Sequence, residues 1–246
     1  MEKRFEREAL LLGEEAVEKL AESRVALFGV GGVGSYAAEA LARSGVGEIE
    51  LIDSDTVALS NINRQLCALE STVGRPKVEV VAERLRDINP RLTVIPRQER
   101  ILPESASRFD FASYDYVIDA IDTVSGKIAI AENAVRAGVP MISCMGAGNK
   151  CDPTAFRVTD LAKTTVCPLA RVMRRELKKR GILHLPVVWS AEEARTPAAC
   201  IDPDSGKQLT GSLAFVPSTA GLIAAGEAVK TLCGFYEAKG KEHAHE

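Results

Sequence analysis

A glycine turn between an apolar strand and a helix constrains the fold of this chain more than any other feature. The run RVALFG, residues 24–29, leads into glycines spaced as G-x-G-x-x-G at Gly29, Gly31 and Gly34, with Gly32 as an additional glycine. The absence of Cβ atoms lets the backbone approach phosphate oxygens at a helix N-terminus, where free N–H groups and the helix dipole favour anions. The turn therefore predicts a nucleotide site, although glycines at such a position can also serve close packing alone.

Strand-like and helix-like segments alternate along the first part of the chain. Predicted strands cover residues 24–29, 48–53, 92–97, 114–120 and 140–144, and predicted helices cover residues 2–22, 33–43, 76–88 and 125–137. Strands separated by helices predict an α/β fold with a doubly wound, mostly parallel, Rossmann-like sheet. Ligands bind such sheets at the carboxyl ends of the strands. Residues 29–34, Asp53 and residues 119–122 all follow strand ends, so we expect them to meet in one crevice.

The pattern changes after Gly146. The extension adds predicted strands at residues 155–160 and 186–190, a basic helix at residues 168–180 and a packing helix at residues 218–233. Residues 191–211 show no periodicity, and a loop of that length in a compact domain is usually functional or disordered. A chain of 246 residues can build one large core. We predict one domain with an N-terminal helix (1–22), a nucleotide-binding core (23–148) and a C-terminal part for substrate binding and dimerisation (149–246).

Composition narrows the class of protein. The net charge is −3, and 46% of the residues are hydrophobic, which is ordinary for a soluble globular protein. The N-terminal segment lacks the apolar run of a signal peptide, and the apolar segment 218–233 is interrupted by Glu227 and Lys230. The six cysteines include no C-x-x-C pair, which is typical of reduced cytosolic thiols and disfavours zinc. We therefore predict a cytoplasmic protein without zinc and without membrane contact.

Carboxylates follow two of the predicted strands. Asp53 ends the second strand, where it can accept hydrogen bonds from both ribose hydroxyls of either NAD or ATP. Asp55 is either a helix cap or a second polar contact to the nucleotide, and we favour the cap. Asp122 follows the strand at 114–120, where a carboxylate can hold Mg²⁺ that bridges phosphate oxygens. Asp119 lies on that strand, so we expect it to face elsewhere and to serve as a buried hydrogen-bonding group.

Asn61, Arg64 and Lys77 distinguish an ATP site from an NAD site. Displacement at a phosphoryl group needs cations where charge accumulates, whereas a dinucleotide dehydrogenase has no role for these groups. Arginine offers a planar fork that matches phosphate oxygens, and lysine acts as a point charge. Arg64 and Lys77 could both point back at the crevice. They could equally be surface cations on polar helix faces.

An ordered set of motifs resembles the family of ubiquitin-activating-like adenylyltransferases. The set consists of RFER (4–7), GVGGVG (29–34), LIDSDTV (51–57), LSNINRQ (59–65), VGRPKVE (73–79) and DAIDT (119–123). The resemblance implies that Gly32 and Asp53 contact the nucleoside and that Asp122 coordinates Mg²⁺. It implies that Arg7 reaches the triphosphate of a partner subunit, so that the active unit is a homodimer. It places around the phosphates and the rest of the nucleotide Gly29, Gly31, Gly34, Asp55, Ser60, Asn61, Arg64, Gln65, Lys77 and Thr123.

Two C-terminal segments, residues 146–182 and 211–230, resemble the branch of this family that dehydrates threonylcarbamoyladenosine in tRNA. Activators of sulfur-carrier proteins usually have paired C-x-x-C zinc ligands in this part, and this chain has none. The resemblance implies ATP-dependent cyclisation through an acyl-adenylate, with tRNA, ATP and Mg²⁺ as partners. It leaves open whether Na⁺ or K⁺ binds near residues 146–159. It also leaves open whether a sulfur relay of the cysteine-desulfurase type docks.

The helix predicted at residues 168–180 carries six basic residues and one acidic residue between Arg171 and Arg180. Helical spacing aligns Arg171, Arg174, Arg175 and Lys178 on one face, and Leu169, Val172, Met173 and Leu177 on an apolar face. Together with Lys179, this cationic stripe suits the phosphates of tRNA, although a solvated basic face is the less favoured alternative. His184 and Trp189 could stack on a base, with core packing favoured for the tryptophan.

Three other functions are compatible with the sequence. An activator of a ubiquitin-like sulfur carrier would adenylate a protein C-terminus, and an NAD(P)-dependent oxidoreductase would use the glycine turn and Asp53 alone. A non-catalytic scaffold would bind tRNA through residues 171–180 without hydrolysing ATP. The cyclisation needs no protein nucleophile because the attacking atom is tethered to the activated carbonyl. Cys200 lies in the loop where some relatives carry a thioester cysteine, so it is the one thiol we would test.

Overall fold

A seven-stranded sheet forms the centre of the computed structural model, which describes residues 2–196, 198–199, 201, 206 and 208–236. The strands are β1 (Arg24–Phe28), β2 (Glu48–Ile52), β3 (Thr93–Arg97), β4 (Tyr116–Asp119), β5 (Met141–Cys144), β6 (Phe156–Asp160) and β7 (Pro186–Ser190). Their order is β3-β2-β1-β4-β5-β7-β6, and β6 alone pairs antiparallel. The predicted doubly wound, mostly parallel sheet is therefore confirmed.

Seven α-helices within the described residues surround this sheet. They are α1 (Glu6–Leu12), α2 (Glu14–Glu22), α3 (Gly34–Arg43), α4 (Lys77–Ile88), α5 (Val124–Ala137), α6 (Pro168–Lys178) and α7 (Phe215–Leu232). Helices α2, α3, α4 and α7 contribute to the core on one face, and α5 and α6 to the core on the other. Because both faces are covered, the central strands are almost entirely apolar, as expected for parallel strands. None of the described helices is long and apolar enough to cross a membrane.

The predicted N-terminal helix over residues 2–22 is wrong in one respect. Gly13 has a φ of 89°, which a helix cannot accommodate, and it separates α1 from α2. Helix α2 buries Ala16, Val17 and Leu20. Helix α1 instead leaves Leu10 and Leu11 85% and 86% exposed. The N-terminal segment thus consists of one packed helix and one helix whose Leu10 and Leu11 have little cover within this chain.

The strand register brings four strand ends into one row. Phe28 lies opposite both Ile52 and Asp119, and Asp119 lies opposite Ser143. The segments that follow these residues therefore emerge side by side at the carboxyl edge of the sheet. The strand order reverses between β1 and β4, which is where doubly wound sheets bind ligands.

Helix α7 closes one side of this edge. A Cβ on Gly221 would lie 2.1 Å from the Val33 carbonyl oxygen, so α7 and the start of α3 are in very close contact. This packing brings Pro217 to 3.3 Å from the position of a Cβ on Gly32. The predicted packing helix is confirmed. Its N-terminal turn lies against the glycine turn.

Candidate active site

A cavity of about 740 Å³ opens at the carboxyl edge of the sheet. This volume lies within the usual range for small-molecule sites. Eleven predicted site residues line it: Gly29, Gly31, Gly32, Asp53, Asp55, Asn61, Arg64, Gln65, Lys77, Asp122 and Thr123. The expected convergence of strand ends in one crevice is therefore present. Gly34, Ser60 and Arg7 do not line the cavity.

The glycines of the turn divide between packing and lining. A Cβ on Gly34 would lie 1.8 Å from the Gly29 carbonyl oxygen, so Gly34 lets α3 start directly against the turn. Gly29 has a φ of 89°, and a Cβ there would lie 2.8 Å from the Ala120 backbone. Gly31 has only a distant neighbour at 3.7 Å, the Gln65 amide nitrogen. Close packing thus explains Gly34 and contributes at Gly32, where Pro217 lies close, while Gly31 presents bare backbone to the cavity.

Asp53 is held in place by the backbone around it. Its Oδ2 accepts the Val30 N–H at 2.7 Å, and its Oδ1 accepts the Asp55 N–H at 2.8 Å. A carboxylate offers about four acceptor positions, so lone pairs on both oxygens stay available. The carboxylate is pre-oriented at the end of β2, next to the turn, where it can accept ribose hydroxyls.

Asp55 pairs with Lys77. The Lys77 Nζ lies 2.8 Å from Asp55 Oδ2, and the Lys77 N–H donates to the Asp55 carbonyl oxygen at 3.0 Å. The lysine side chain is only 6% exposed, whereas that of Asp55 is 64% exposed. Asp55 does not cap α4. The N-cap position of that helix is occupied by Pro76, and no side chain accepts a hydrogen bond from its first N–H groups. The favoured interpretation of Asp55 as a cap was wrong, and the carboxylate instead orients the ammonium group at the cavity wall.

The LSNINRQ segment forms a 3₁₀ turn that presents Arg64. Asn61 is 9% exposed, and its Oδ1 accepts the Ala58 N–H at 3.1 Å, so this side chain shapes the turn. The Arg64 Nη1 donates to the Ser60 carbonyl oxygen at 2.9 Å and to Asn63 Oδ1 at 3.0 Å. Ser60 therefore acts on the site through its backbone, by holding the guanidinium beside the glycine turn.

Asp122 projects from the loop between β4 and α5. It is exposed, lines the cavity, and has no hydrogen-bond or ion-pair partner within the described part of the chain. No group of three or more His, Cys, Asp or Glu side chains that could hold a metal occurs among the described residues. A single carboxylate fits Mg²⁺, which proteins usually hold by one or two carboxylates together with substrate phosphates and water. Thr123 occupies the N-cap position of α5 without a side-chain cap.

The thiols near the cavity are not prepared for nucleophilic attack. Burial raises the pKa of Cys144 to about 12, although this residue touches the cavity wall. Burial likewise raises the pKa of Cys67, against a smaller opposing effect of Lys77. Both are therefore neutral thiols near pH 7. Cys151 is exposed, and Cys200 lies outside the described residues.

The basic helix α6 presents an incomplete cationic stripe. The Arg174 guanidinium is half-buried and donates to the Leu161 carbonyl at 3.2 Å and to the Thr164 carbonyl at 2.8 Å. It therefore fastens the preceding turn, which corrects the expectation that it lies with the free cations. The Glu176 carboxylate contacts Arg175, Lys179 and Arg180. Within the described residues, the exposed helix cations without an ion-pair partner are Arg171 and Lys178.

Only part of the predicted apolar face of α6 enters the core. Met173 and Leu177 are buried, Val172 is half-buried, and Leu169 lines the cavity. Trp189 packs in the core and donates its indole N–H to the Thr165 carbonyl at 2.9 Å, so the favoured packing role is confirmed.

Several cavity residues were missed by sequence reasoning. Residues 145–148 directly follow β5, so the strand-end rule could have found them. Thr210 and Ser212 arrive from the long loop, whose end is held by Asn149: the Asn149 Oδ1 accepts the Gly211 N–H at 2.7 Å. No feature of the sequence near Asn149 or Gly211 predicts that contact.

Fold and cavity together define a Rossmann-like nucleotide-binding protein. The model of the ThiF family matches residues 5–245, and the chain belongs to this family.

Two relatives are similar to this chain over nearly its whole length, and a third over about half of it. The tRNA threonylcarbamoyladenosine dehydratase of Bacillus subtilis is 44% identical over 245 residues, which is 96% of each chain. The crystal structure of the Escherichia coli tRNA N6-threonylcarbamoyladenosine dehydratase in complex with ATP has a TM-score of 0.86 and 38% identity, and covers 96% of both chains. A molybdopterin-synthase adenylyltransferase from Salmonella typhimurium is 39% identical over 142 residues, or 57% of this chain.

Proposed function

We propose that this protein is an ATP-dependent tRNA-modifying enzyme that converts N6-threonylcarbamoyladenosine into its cyclic form by adenylating a carboxylate. The observation that carries the proposal is the gathering of Arg64, Lys77 and Asp122 around one cavity beside the glycine turn. The similarity to dehydratases over 96% of both chains supports the choice of substrate. A dehydrogenase would leave these three groups without a role.

The reaction proceeds in two steps. A carboxylate oxygen of the threonyl group attacks the α-phosphorus of ATP, and pyrophosphate leaves with the electrons of the broken P–O bond. The ureido nitrogen of the same side chain then attacks the activated carbonyl carbon, loses its proton, and expels AMP. The sum removes one water from the substrate. Tethering of the attacking nitrogen makes the second step intramolecular, which raises the effective concentration of the nucleophile.

The residues of the cavity have separate roles in this reaction. Asp53 accepts the ribose hydroxyls, while Arg64 and Lys77 stabilise the charge that develops at the α-phosphate. Lys77 is nearly buried and already oriented by Asp55, so little rearrangement precedes catalysis. Asp122, with Thr123 beside it, would hold Mg²⁺. The ion would neutralise charge on the phosphate oxygens.

The active unit is proposed to be a homodimer in which Arg7 acts on the nucleotide of the partner subunit. Arg7 lies on α1, outside the cavity of its own chain, and the neighbouring Leu10 and Leu11 are almost fully exposed. Both facts favour a second copy as the cover for α1. Mixing Arg7→Ala with Asp122→Ala protein tests this: a dimer with one intact site restores activity, whereas an enzyme with only cis sites stays inactive.

Two further assignments belong to the proposal. The substrate tRNA contacts the exposed cations of α6, Arg171 and Lys178 above all, with Arg175 and Lys179 at the margin. We place the reaction in the cytoplasm, because tRNA and ATP are found there.

Mass spectrometry of nucleosides tests the proposal directly. The protein is incubated with tRNA that contains threonylcarbamoyladenosine, together with ATP and Mg²⁺. We expect the modified adenosine to lose the mass of one water, with AMP formed in equal amount. The Asp122→Ala variant and a reaction without ATP are the controls.

The second candidate function is activation of a ubiquitin-like sulfur carrier, favoured by the similarity of 57% of this chain to a molybdopterin-synthase adenylyltransferase. That function requires pyrophosphate exchange that depends on a carrier protein and proceeds without tRNA. Such a result, with no change in the tRNA nucleoside, would refute the dehydratase proposal.

A further inference from the structure

A fully buried ionic network lies directly beneath the loop that carries Asp122. The Lys127 Nζ lies 3.0 Å and 2.9 Å from the two carboxylate oxygens of Asp119 and 3.3 Å from the Ser143 Oγ. The Ser143 hydroxyl donates to Asp119 Oδ2 at 2.5 Å. All three side chains are 0% exposed. None of the three belongs to the cavity lining, so the proposed chemistry does not use them directly.

This network connects three elements at the row of strand ends. Asp119 is the last residue of β4, Ser143 lies opposite it on β5, and Lys127 lies in the first turns of α5. Asp119 Oδ1 also accepts the Ile121 N–H at 3.2 Å. The carboxylate therefore binds the loop backbone and the helix at the same time, one on each side of Asp122.

The loop between these anchors has almost no room to move. A Cβ on Gly126 would lie 2.6 Å from the Ile121 Cδ1 and 3.0 Å from the Thr123 Oγ1, so α5 presses against the loop. The glycine turn presses from the other side, where a Cβ on Gly29 would lie 2.8 Å from Ala120. Asp122 itself has no partner in the described part of the chain. Its position thus depends on the backbone around it.

Burial of these charges in the core is expensive unless every group is paired, and replacement by apolar residues is often neutral or stabilising. Stability alone therefore gives weak grounds for placing a lysine here. We propose that Lys127 is a positioning residue, held by Asp119 and Ser143, that fixes residues 120–123 so that the Asp122 carboxylate faces the phosphate end of the cavity. This inference rests on the role proposed for Asp122.

The test uses a paired substitution, Asp119→Leu with Lys127→Met, because removing both charges leaves no unpaired ion in the core. The measurement is the affinity for ATP by titration calorimetry, once with Mg²⁺ and once with EDTA. We expect Mg²⁺-free binding to stay near the wild-type level. We expect the gain in affinity from Mg²⁺ to fall about tenfold or more, since a displaced group of about 1 Å can cost that much.

Glu50→Gln is the matched control. Glu50 is also 0% exposed and ion-paired, with Arg24 at 2.9 Å and with Arg97, but none of these residues lines the cavity. It should lower thermal stability without altering the Mg²⁺ gain. A folded double variant with the wild-type gain overturns the inference, and so does an equal loss in Glu50→Gln.

If the double variant does not fold, Ser143→Ala carries the test, because it removes one hydroxyl and leaves the ion pair. A reduction of the Mg²⁺ gain by about threefold to fivefold is expected from one lost hydrogen bond. An unchanged gain overturns the inference. Failure of the proposed function is seen on wild-type protein instead. If wild type gains affinity from Mg²⁺ but converts no tRNA, the dehydratase proposal fails and the variants still decide the positioning role. If wild type gains none, the metal role of Asp122 and the positioning inference fail, whatever the tRNA assay gives.

Discussion

The glycine-turn side of the cavity and its C-terminal side differ in how their residues are held. On the first side, Asp53 is bound by two backbone N–H groups, and Lys77 is nearly buried against Asp55. On the second side, Thr210 comes from the end of a long loop that Asn149 holds at Gly211, and Arg171 of the neighbouring helix α6 lies outside the cavity lining, without an ion pair in the described residues. The nucleotide site is thus fixed by contacts close to the glycine turn, whereas the exposed cations Arg171 and Lys178 of α6 are not held by ion pairs within the described residues.

The contrast has a physical meaning. Charge stabilisation at a phosphate is effective only when donors are already aligned, because reorganisation would consume the gain. Recognition of a large polyanion tolerates mobile cations, since the phosphate backbone offers many equivalent partners. Substitutions beside the glycine turn should therefore lower the rate of adenylation, whereas substitution of an exposed α6 cation should weaken tRNA binding.

The largest effect is expected from Asp122→Ala on the glycine-turn side. Its carboxylate is exposed and has no partner in the described residues, so the fold should persist while adenylation falls about a thousandfold. The measurement is ATP–pyrophosphate exchange in the presence of tRNA, with thermal melting as the control. Near-normal exchange in a folded variant would contradict the metal role of Asp122.

Lys77→Met should reduce the rate of adenylation about a hundredfold, because it removes the fixed cation that we propose to stabilise the α-phosphate while keeping the aliphatic stem. Single-turnover AMP formation measures this step. Asp55→Asn is the companion variant: it keeps a hydrogen-bond acceptor beside Lys77 and should have a much smaller effect. Equal losses in both variants would mean that Asp55 itself contacts the nucleotide.

Two arginines of α6 should separate stability from tRNA binding. Arg174→Ala should destabilise the fold by about 1.5–3 kcal/mol, because its charged hydrogen bonds fasten the turn at Leu161 and Thr164. Arg171→Ala should leave thermal stability unchanged and lower the salt dependence of tRNA binding by about one phosphate contact. Denaturant melting and filter binding at several salt concentrations measure the two effects. The reverse pattern would refute the assignment.

The smallest effect concerns thiol reactivity. Burial raises the pKa of Cys67 and of Cys144, so both should resist alkylation at neutral pH. Cys151 is exposed and should react first among these three. Peptide mapping after brief treatment with iodoacetamide measures each site separately. Rapid modification of Cys144 in folded protein would show that the cavity floor opens.

Much of the nucleotide side could be predicted because its signals are local. The glycine spacing and Asp53 lie at strand ends, and a parallel sheet brings strand ends together whatever its side chains do. The error at Asp55 arose because helix capping and ion pairing use the same residue type. Only the position of Lys77, 22 residues later, decides between them.

The C-terminal side was predicted less well, since helical periodicity reports which residues share a face but not what that face meets. Arg174 fits the cationic stripe by spacing, yet the turn at Leu161 draws its guanidinium inward.

The N-terminal segment was also predicted incorrectly. We expected one continuous helix over residues 2–22, but the positive φ of Gly13 ends α1 there.

Sequence alone determined the α/β alternation, the glycine turn and the carboxylates that follow β2 and β4, because these depend on backbone sterics and on a periodicity of apolar residues. Tertiary structure decided which polar groups became partners. Asp119 meets Ser143 across two strands, and Asn149 meets Gly211 across 62 residues. Such pairs form only when the whole sheet and its helices close, since burial then makes each unpaired polar group costly.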